Sequence, residues 1–340
     1  MTTAKRPPTS ADVARKAGVS RATVSYVLNG LSNSRISEDT RASVQAAADA
    51  LGYIPHAMAR SLRKGHSNTV LIPQSSYPLG PTLTTFYQDL STHLRKLGYT
   101  TLVHLDPAIH GLEAARTWAS LRPAGVLVLE SRVTPQSMKL LSTSGVQGVV
   151  LIAHQPSTLG PTLLADHSEL GACAAAYLFE RGHRHVAVQL PRDPDLLFLG
   201  RERARGVQRV GATHHIIIEP FDLAFDESEA SQFAVQLRQA RRKKKKVPTA
   251  IVAFNDLYAL LLMRALQNVG LAVPDDIAVI GIDNLEVGGL SRPGLTSVQP
   301  MTSQPLEAFV SFFDKLMRGK KTDTTLVPMF SPSLVARESA

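Results

Sequence analysis

The segment TSADVARKAGVSRATVSYVLN, residues 9–29, constrains this 340-residue chain more than any other stretch. It holds two short helical patterns hinged at Gly18. Thr9 and Asp12 stand three apart, the spacing at which each side chain serves the other's backbone N–H, so the first pattern opens with a capping box. Val13, Ala14 and Ala17 follow at helical spacing. Gly18 supplies the positive φ that a tight turn between helices requires. Ser20 stands where it caps the second helix, whose inward face is Val24, Val27 and Leu28. Arg21, Ala22, Ser25 and Tyr26 are left outward, with Thr23 at the margin. A helix that leads with short and cationic side chains suits insertion into the major groove of duplex DNA.

The next stretch extends this unit. Ser37 caps a third helical pattern with Glu38 and Asp39 in its first turn, where the helix dipole favours negative charge. Val44, Ala47, Ala48 and Leu51 recur at core spacing, and Gly52 ends the pattern. Pro55 precedes His56–Lys64, a short segment of small residues and cations with an outward leucine, Leu62. Such a segment is hard to bury as core; it suits a wedge pushed between base steps in the minor groove.

The segments DVARKAGVSRATVSYVLN, ISEDTRASVQAAADALGYIP and HAMARSLRKG together resemble the headpiece of the lactose-repressor (LacI) family of bacterial transcription regulators. The resemblance runs over residues 9–66, with a connection at Gly30–Ile36 a little longer than in the shortest members. It implies a headpiece over 1–55, a hinge helix over 56–66 and an effector-binding and dimerisation domain over 67–338. The residues expected at DNA are Thr9, Ser20, Arg21, Ala22, Thr23, Ser25, Tyr26, Asn29, Ala59 and Leu62. Arg21 fits the bidentate donor to guanine O6 and N7, and Ala22 fits a thymine methyl. Tyr26 stands where many members have arginine.

Charge agrees with this reading. The first 65 residues hold ten Lys or Arg against four Asp or Glu, and the other 275 hold 27 against 24. A basic block of this kind attracts phosphate without regard to sequence. The single cysteine, Cys173, excludes an intrachain disulfide. No apolar run reaches the length of a membrane span, and MTTAKRPPTS lacks the apolar core of a signal peptide, so the protein is expected in the cytoplasm, away from membranes.

From about residue 67 the pattern changes. Runs at 69–73, 100–105, 125–130, 148–153, 185–190, 214–219, 249–254 and 277–282 are short, β-branched and apolar on both faces, which predicts buried parallel strands. Amphipathic stretches alternate with them. Alternation means α/β architecture, and so many strands predict two doubly wound parallel-sheet subdomains with a cleft at the strands' carboxyl ends. The body also resembles the LacI family, most clearly over 180–188, 254–284 and 295–300, which implies a fold like that of periplasmic binding proteins. It places subdomain one at about 67–166 and 299–325, and subdomain two at about 167–298 and 326–338.

By the same resemblance Arg203, Asn255 and Asp283 are the expected effector contacts, each read as lying at or after a strand end. A donor fork, an amide and a carboxylate satisfy several hydroxyls of a sugar or sugar phosphate. Helix capping or fold maintenance is the alternative for each, and Asp256 is expected to be a cap. Ala153 and His154 depart from the aspartate many members carry, and the Arg-rich RERARG segment is more cationic than usual.

Arg241–Lys246, RRKKKK, reads as a solvated loop, with a DNA or partner patch as the minor alternative. The pairs His183/His185 and His214/His215 lack a second cluster at ligand spacing, so neither a metal nor a cofactor is expected. No nucleophile–base constellation carries its own local signature, so no enzyme is expected. The reading is a dimeric repressor on a palindromic DNA operator, controlled by a small effector. A regulator without an effector, an activator, and a cytoplasmic small-molecule-binding protein with a basic N-terminus stand as alternatives.

Overall fold

The computed structural model describes residues 6–28, 36–54, 67–74, 81–302, 306–320 and 327–340. The chain divides into two compact units, Met1–Asn68 and Thr69–Ala340.

In the first unit α1 (Ser10–Ala17), α2 (Arg21–Leu28) and α3 (Glu38–Leu51) enclose a small core. The capping box forms: Asp12 N–H donates to Thr9 Oγ1 at 3.4 Å and Thr9 N–H to Asp12 Oδ2 at 2.9 Å. These bonds, the Thr9 hydroxyl's first, hold the Asp12 carboxyl below its ordinary range. Gly18, at φ 68°, turns the chain, and Val19 N–H closes back on Ala14 O at 3.0 Å. Ser20 and Ser37 accept from Thr23 N–H and Thr40 N–H at 3.0 and 3.3 Å. Val13, Val24 and Val44 are fully buried with Ala14, Ala47 and Ala48 around them. Each valine contributes about 1.5–3 kcal/mol over its exposed state, and Val19, Val27, Leu28, Leu51 and Tyr53 pack partly buried against them.

The second unit runs β1 (Thr69–Pro73), α4 (Pro81–Lys96), β2 (Thr100–His104), α5 (Gly111–Ser120), β3 (Gly125–Leu129), α6 (Pro135–Thr143), β4 (Gly148–Ala153) and β5 (Thr162–Leu164). It continues through α7 (His167–Glu180), β6 (His185–Pro191), α8 (Pro194–His214), β7 (Ile217–Leu223), α9 (Glu227–Arg242), β8 (Ala250–Val252) and α10 (Asp256–Asn268). It closes with β9 (Ala278–Ile282), α11 (Glu286–Leu290), β10 (Thr296–Thr302), α12 (Leu306–Met317), β11 (Val327–Pro328) and β12 (Phe330–Val335).

These strands form two six-stranded sheets, ordered β11-β5-β4-β3-β1-β2 and β12-β10-β9-β8-β6-β7. Every pairing is parallel except β10 with β12. Alternate residues of the first sheet serve opposite layers. Val70, Leu127 and Val150 meet α4 and α12 through Phe86, Leu90 and Phe313, whereas Leu71, Val126 and Leu151 meet α5 and α6 through Trp118 and Leu141. The second sheet is covered the same way, by α9 and α10 on one face and α7 and α8 on the other. Beyond β12 the last two residues are buried: Ser339 Oγ donates to Val279 O at 2.6 Å and accepts from Thr296 N–H at 2.9 Å, and Tyr177 Oη donates to Ala340 O at 3.0 Å.

Three expectations change. The runs at 100–105 and 214–219 are not buried strands: β2 and β7 are the sheet edges, and both are largely exposed. The second also starts late, at Ile217, because His214 still belongs to α8 and His215 turns the chain at φ 54°. The crossings between sheets differ from the expected 299 and 326. β10 pairs with β12 to Thr302, which keeps 299–302 in the second sheet, and β11 pairs with β5, which keeps Val327 and Pro328 in the first.

Candidate functional site

Two places gather the residues that the sequence marks. The first is the outer face of α2. Its inward side is fixed by Val24, and this rotates Arg21, Ala22 and Tyr26 into solvent. Arg21 makes no ion pair among the described residues, so its guanidinium is available to a phosphate or a base edge. Thr9, Ser20 and Thr23 are placed differently: their hydroxyls are engaged in capping, Thr9 Oγ1 with Asp12 Oδ2 at 2.6 Å and Ser20 Oγ with Thr23 Oγ1 at 2.9 Å. Ser25 is half-buried on the same helix. Asn29, Ala59 and Leu62 lie outside the described residues.

The second place is the carboxyl end of the second sheet. Arg203 reaches it from the middle of α8, not from a strand end as the sequence suggested; the head group, and not the backbone, arrives at the strand ends. Arg203 is buried. Its Nη1 donates to Phe254 O at 2.5 Å, its Nη2 to Asp283 Oδ1 at 3.0 Å, and its Cζ lies 4.8 Å from the centroid of the Phe254 ring. Two of the five guanidinium N–H groups are thereby used, and buried Nε has no partner among the described residues. Asp283 follows β9 at φ 110°, a strained backbone for an aspartate. Burial pushes its carboxyl up, and Arg203 opposes that push.

Asp256 does not take its expected role as a helix cap. Asn255, not Asp256, caps α10, accepting from Tyr258 N–H at 3.1 Å, which leaves its amide nitrogen for other partners. Asp256 is wholly buried and ties three elements together. It accepts from Ser297 Oγ of β10 at 2.6 Å and from Leu285 N–H at 2.5 Å, and so holds the turn that carries Asp283.

Burial pushes the Asp256 carboxyl up to about 6 against the two hydrogen bonds that favour its charged form. Between its unfolded value and about 6 the folded chain therefore keeps a proton that the unfolded chain releases. This contribution is fully present below about pH 4 and is lost as pH rises through 6, by roughly 3 kcal/mol. Urea midpoints across that window are expected to fall less with pH in Asp256→Asn than in the parent. Parallel curves would remove Asp256 as the cause.

Sequence reasoning missed several neighbours. Gln189, buried in β6, accepts from Phe254 N–H at 3.0 Å through Oε1, and its Nε2 lacks a partner among the described residues. His167, at the start of α7, is pushed down to about 3 by burial first, then by Arg203 and His154, which makes its imidazole neutral. His154, beyond β4 of the first sheet, meets Phe198 of α8 edge-on at 5.2 Å, a contact between the subdomains. Gly171 and Gly206 let α7 and α8 touch backbone to backbone: an added Cβ would stand 1.9 Å from Arg203 O or 1.8 Å from Ser168 O. In the first sheet buried Arg132 donates to Gln74 O, to Asp106 O at 2.6 Å and to Ile109 O at 2.8 Å, bracing the loops at that sheet's carboxyl ends. These contacts join residues far apart in the chain, so no local pattern announces them.

No group of three or more metal-ligating side chains occurs among the described residues. None of their helices is long and apolar enough to cross a membrane.

Known proteins share both parts. Residues 9–56 match the bacterial regulatory proteins of the lacI family, and residues 175–340 match the periplasmic binding protein-like domain. The HTH-type transcriptional repressor PurR of Aliivibrio fischeri strain MJ11 is 30% identical over 339 residues, covering 96% of this chain and 97% of the relative. PurR of Vibrio cholerae serotype O1 is 30% identical over 334 residues, covering 96% of each. Among solved structures, the Lac repressor dimer bound to operator and the anti-inducer ONPF shares the fold at a TM-score of 0.76 and 24% identity, covering 98% of this chain and 99% of that one. The transcriptional regulator CelR–cellobiose complex follows at a TM-score of 0.62 and 25% identity, covering 98% and 100%. With a capped helix-turn-helix unit, two parallel-sheet subdomains and full-length relatives at this identity, the chain belongs to the LacI family of bacterial regulatory proteins.

Proposed function

We propose that this chain is a sequence-specific DNA-binding repressor that works in the cytoplasm as a homodimer and catalyses no reaction. Residues 1–55 form its DNA-binding headpiece, 56–66 its hinge and 67–338 its effector domain. The observation that carries the reading is α2: one face is locked into a valine core and the other presents Arg21, Ala22 and Tyr26 to solvent. One such helix reads few bases, and two related by a dyad read a palindrome. Arg21 donates both guanidinium edges to a guanine, Ala22 meets a thymine methyl, and Leu62 enters the minor groove.

The carboxyl end of the second sheet takes the effector, a sugar or sugar phosphate. Arg203, Asn255 and Asp283 provide donors and an acceptor for its hydroxyls. The relatives support a ligand of this class: CelR was solved with cellobiose, and another family member with ribose. Effector binding shifts the two subdomains against each other and so changes the hold on DNA.

Selection from a random duplex library tests the DNA half. Arg21→Ala is expected to lose a guanine at one position of each half-site, with about 10- to 100-fold weaker binding to the parent's preferred sequence. Uniform weakening on every duplex would make Arg21 a phosphate contact. A thermal-shift screen of sugars, sugar phosphates and nucleosides tests the other half. A stabilising ligand whose effect is lost in Asn255→Ala supports the assignment; its persistence in that variant removes Asn255.

A further inference from the structure

The second sheet has an opposite end, which the proposed function does not use. There the amino ends of β7, β6, β8 and β9 lie side by side in that order. The segments feeding them are stitched into one rim. Ile217 N–H donates to Arg184 O at 2.9 Å, Thr249 N–H to His185 O at 2.8 Å, and Ala278 N–H to Thr249 O at 3.0 Å. His183 Nδ1 lies 2.9 Å from Thr249 Oγ1.

Onto this rim the sequence brings Arg181, Arg184 and the unbroken run Arg241–Lys246. In the same segments only Glu180, Asp275 and Asp276 oppose them. Residues 66–340 hold 27 cations and 24 carboxylates, so with this rim set aside the rest of the body is slightly acidic. The positive charge is a local concentration. Arg241 is spent on Asp276, donating to its backbone O at 2.7 Å and to its Oδ1 at 2.9 Å. Arg242 and Lys243–Lys246 are exposed and make no ion pair with any described residue. Five like charges in sequence repel one another, and a counter-charge from outside relieves that repulsion.

The chemistry of the rim selects the partner. Lysine ammonium groups are compact point charges that suit phosphate backbones. The segments feeding these strands, 181–184, 215–216, 243–249 and 269–277, hold no Phe, Tyr or Trp. Of the nearby rings, Phe179 is covered by the His214 ring at 4.0 Å and by the Arg184 guanidinium at 4.3 Å, and Tyr177 carries the Arg181 guanidinium at 5.0 Å. A site with charge and no stacking platform favours duplex over single strands, since the duplex carries one charge per about 1.7 Å of axis. We propose that the amino-terminal rim of the second sheet is a sequence-independent binding site for duplex DNA, separate from the face of α2, through which one molecule holds a second stretch of DNA. A chain already bound to DNA meets neighbouring segments at high effective concentration, so individually weak lysine contacts suffice.

The test uses the full-length protein and two random-sequence duplexes, one biotinylated on beads and one carrying a fluorophore. The readout is capture of the second duplex by the first through the protein. Lys243→Gln, Lys244→Gln, Lys245→Gln and Lys246→Gln combined is expected to reduce capture about ten-fold or more at about 50 mM salt. The slope of log affinity against log salt should flatten by about 3 to 4. Changing the same four lysines to arginine should retain capture, which separates charge from damage to the loop. Changing Lys244 and Lys246 alone to glutamine should flatten the slope by about 2.

Equal capture by the parent and the four-glutamine variant overturns the inference. So does a variant that loses binding to labelled poly-glutamate while still bridging duplexes, because that assigns the rim to acidic polypeptides. The Arg21→Ala chain separates this inference from the headpiece reading: it loses sequence preference with the rim intact, whereas the rim variants keep that preference.

Discussion

Gly206→Ala is expected to destabilise the body by more than about 3 kcal/mol, although alanine favours an exposed helix by about 1 kcal/mol over glycine. The opposing term is steric. The new Cβ would stand 1.8 Å from Ser168 O and 2.8 Å from Ala172 N, both backbone atoms of the neighbouring helix. No side chain can rotate away to make room, so α7 and α8 must separate. Separation opens the layer formed by Leu170, Ala174, Ala204 and Val207 and draws Arg203 from Phe254 and Asp283. Overpacking costs about 1–3 kcal/mol where side chains yield, and more where only backbone does. Gly289→Ala is the control: its nearest neighbour would be an arginine side chain at 3.8 Å, and its stability is expected to change by less than about 1 kcal/mol. Urea denaturation of both variants decides the matter; equal midpoints would refute the close-contact argument.

Arg203→Met is expected to cost about 3–5 kcal/mol, the usual penalty for leaving one half of a buried ion pair unmatched. Methionine keeps much of the volume but abandons Phe254 O and the Asp283 carboxylate together. Without its guanidinium, Asp283 is pushed further up, because the group that opposed its burial is gone. The sign then follows. A carboxyl raised in the folded state contributes stability below its unfolded value and loses it as pH rises towards its folded one, so the variant's deficit should widen from pH 4 upward. Arg203→Met combined with Asp283→Asn should recover part of the loss and lose that pH dependence. A deficit that is flat with pH would show the cost to be packing alone. Either result bears on the proposed effector site, which is built on the same guanidinium.

How much of this was legible beforehand depended on sequence distance. The first unit's turns and caps were plain because each is made by residues three or four apart: Thr9 with Asp12, Ser20 with Thr23, Gly18 by its own backbone. Eight of the twelve described strands were legible as short apolar runs; β5, β10, β11 and β12 were not, because they are very short or interrupted by Ser, Thr and Pro. What failed was position within a sheet. Residues 100–105 and 214–219 hold only three apolar residues of six each, fewer than the central runs 148–153 and 277–282, and the strand order places both at the edges. The choice between Asn255 and Asp256 as the cap also could not be read locally, since either side chain can cap a helix. Ser297, 41 residues away, decided it by claiming Asp256. Arg203 was found through resemblance, but its route to the site, through a 21-residue helix held by two glycines, was not.

The path of the chain between sheets also sets an order of assembly on the ribosome. The first unit draws its core from residues 13–53, so it is complete early in translation. The first sheet is not: α12 covers its face, and Tyr99 finds Asp314 across 215 positions at 2.8 Å. The second sheet waits longer still, until Ser339 reaches Val279 and Thr296. Half-made sheets with exposed apolar faces must therefore persist through most of elongation. That exposure makes the nascent body a natural client for chaperones long before the finished protein meets DNA.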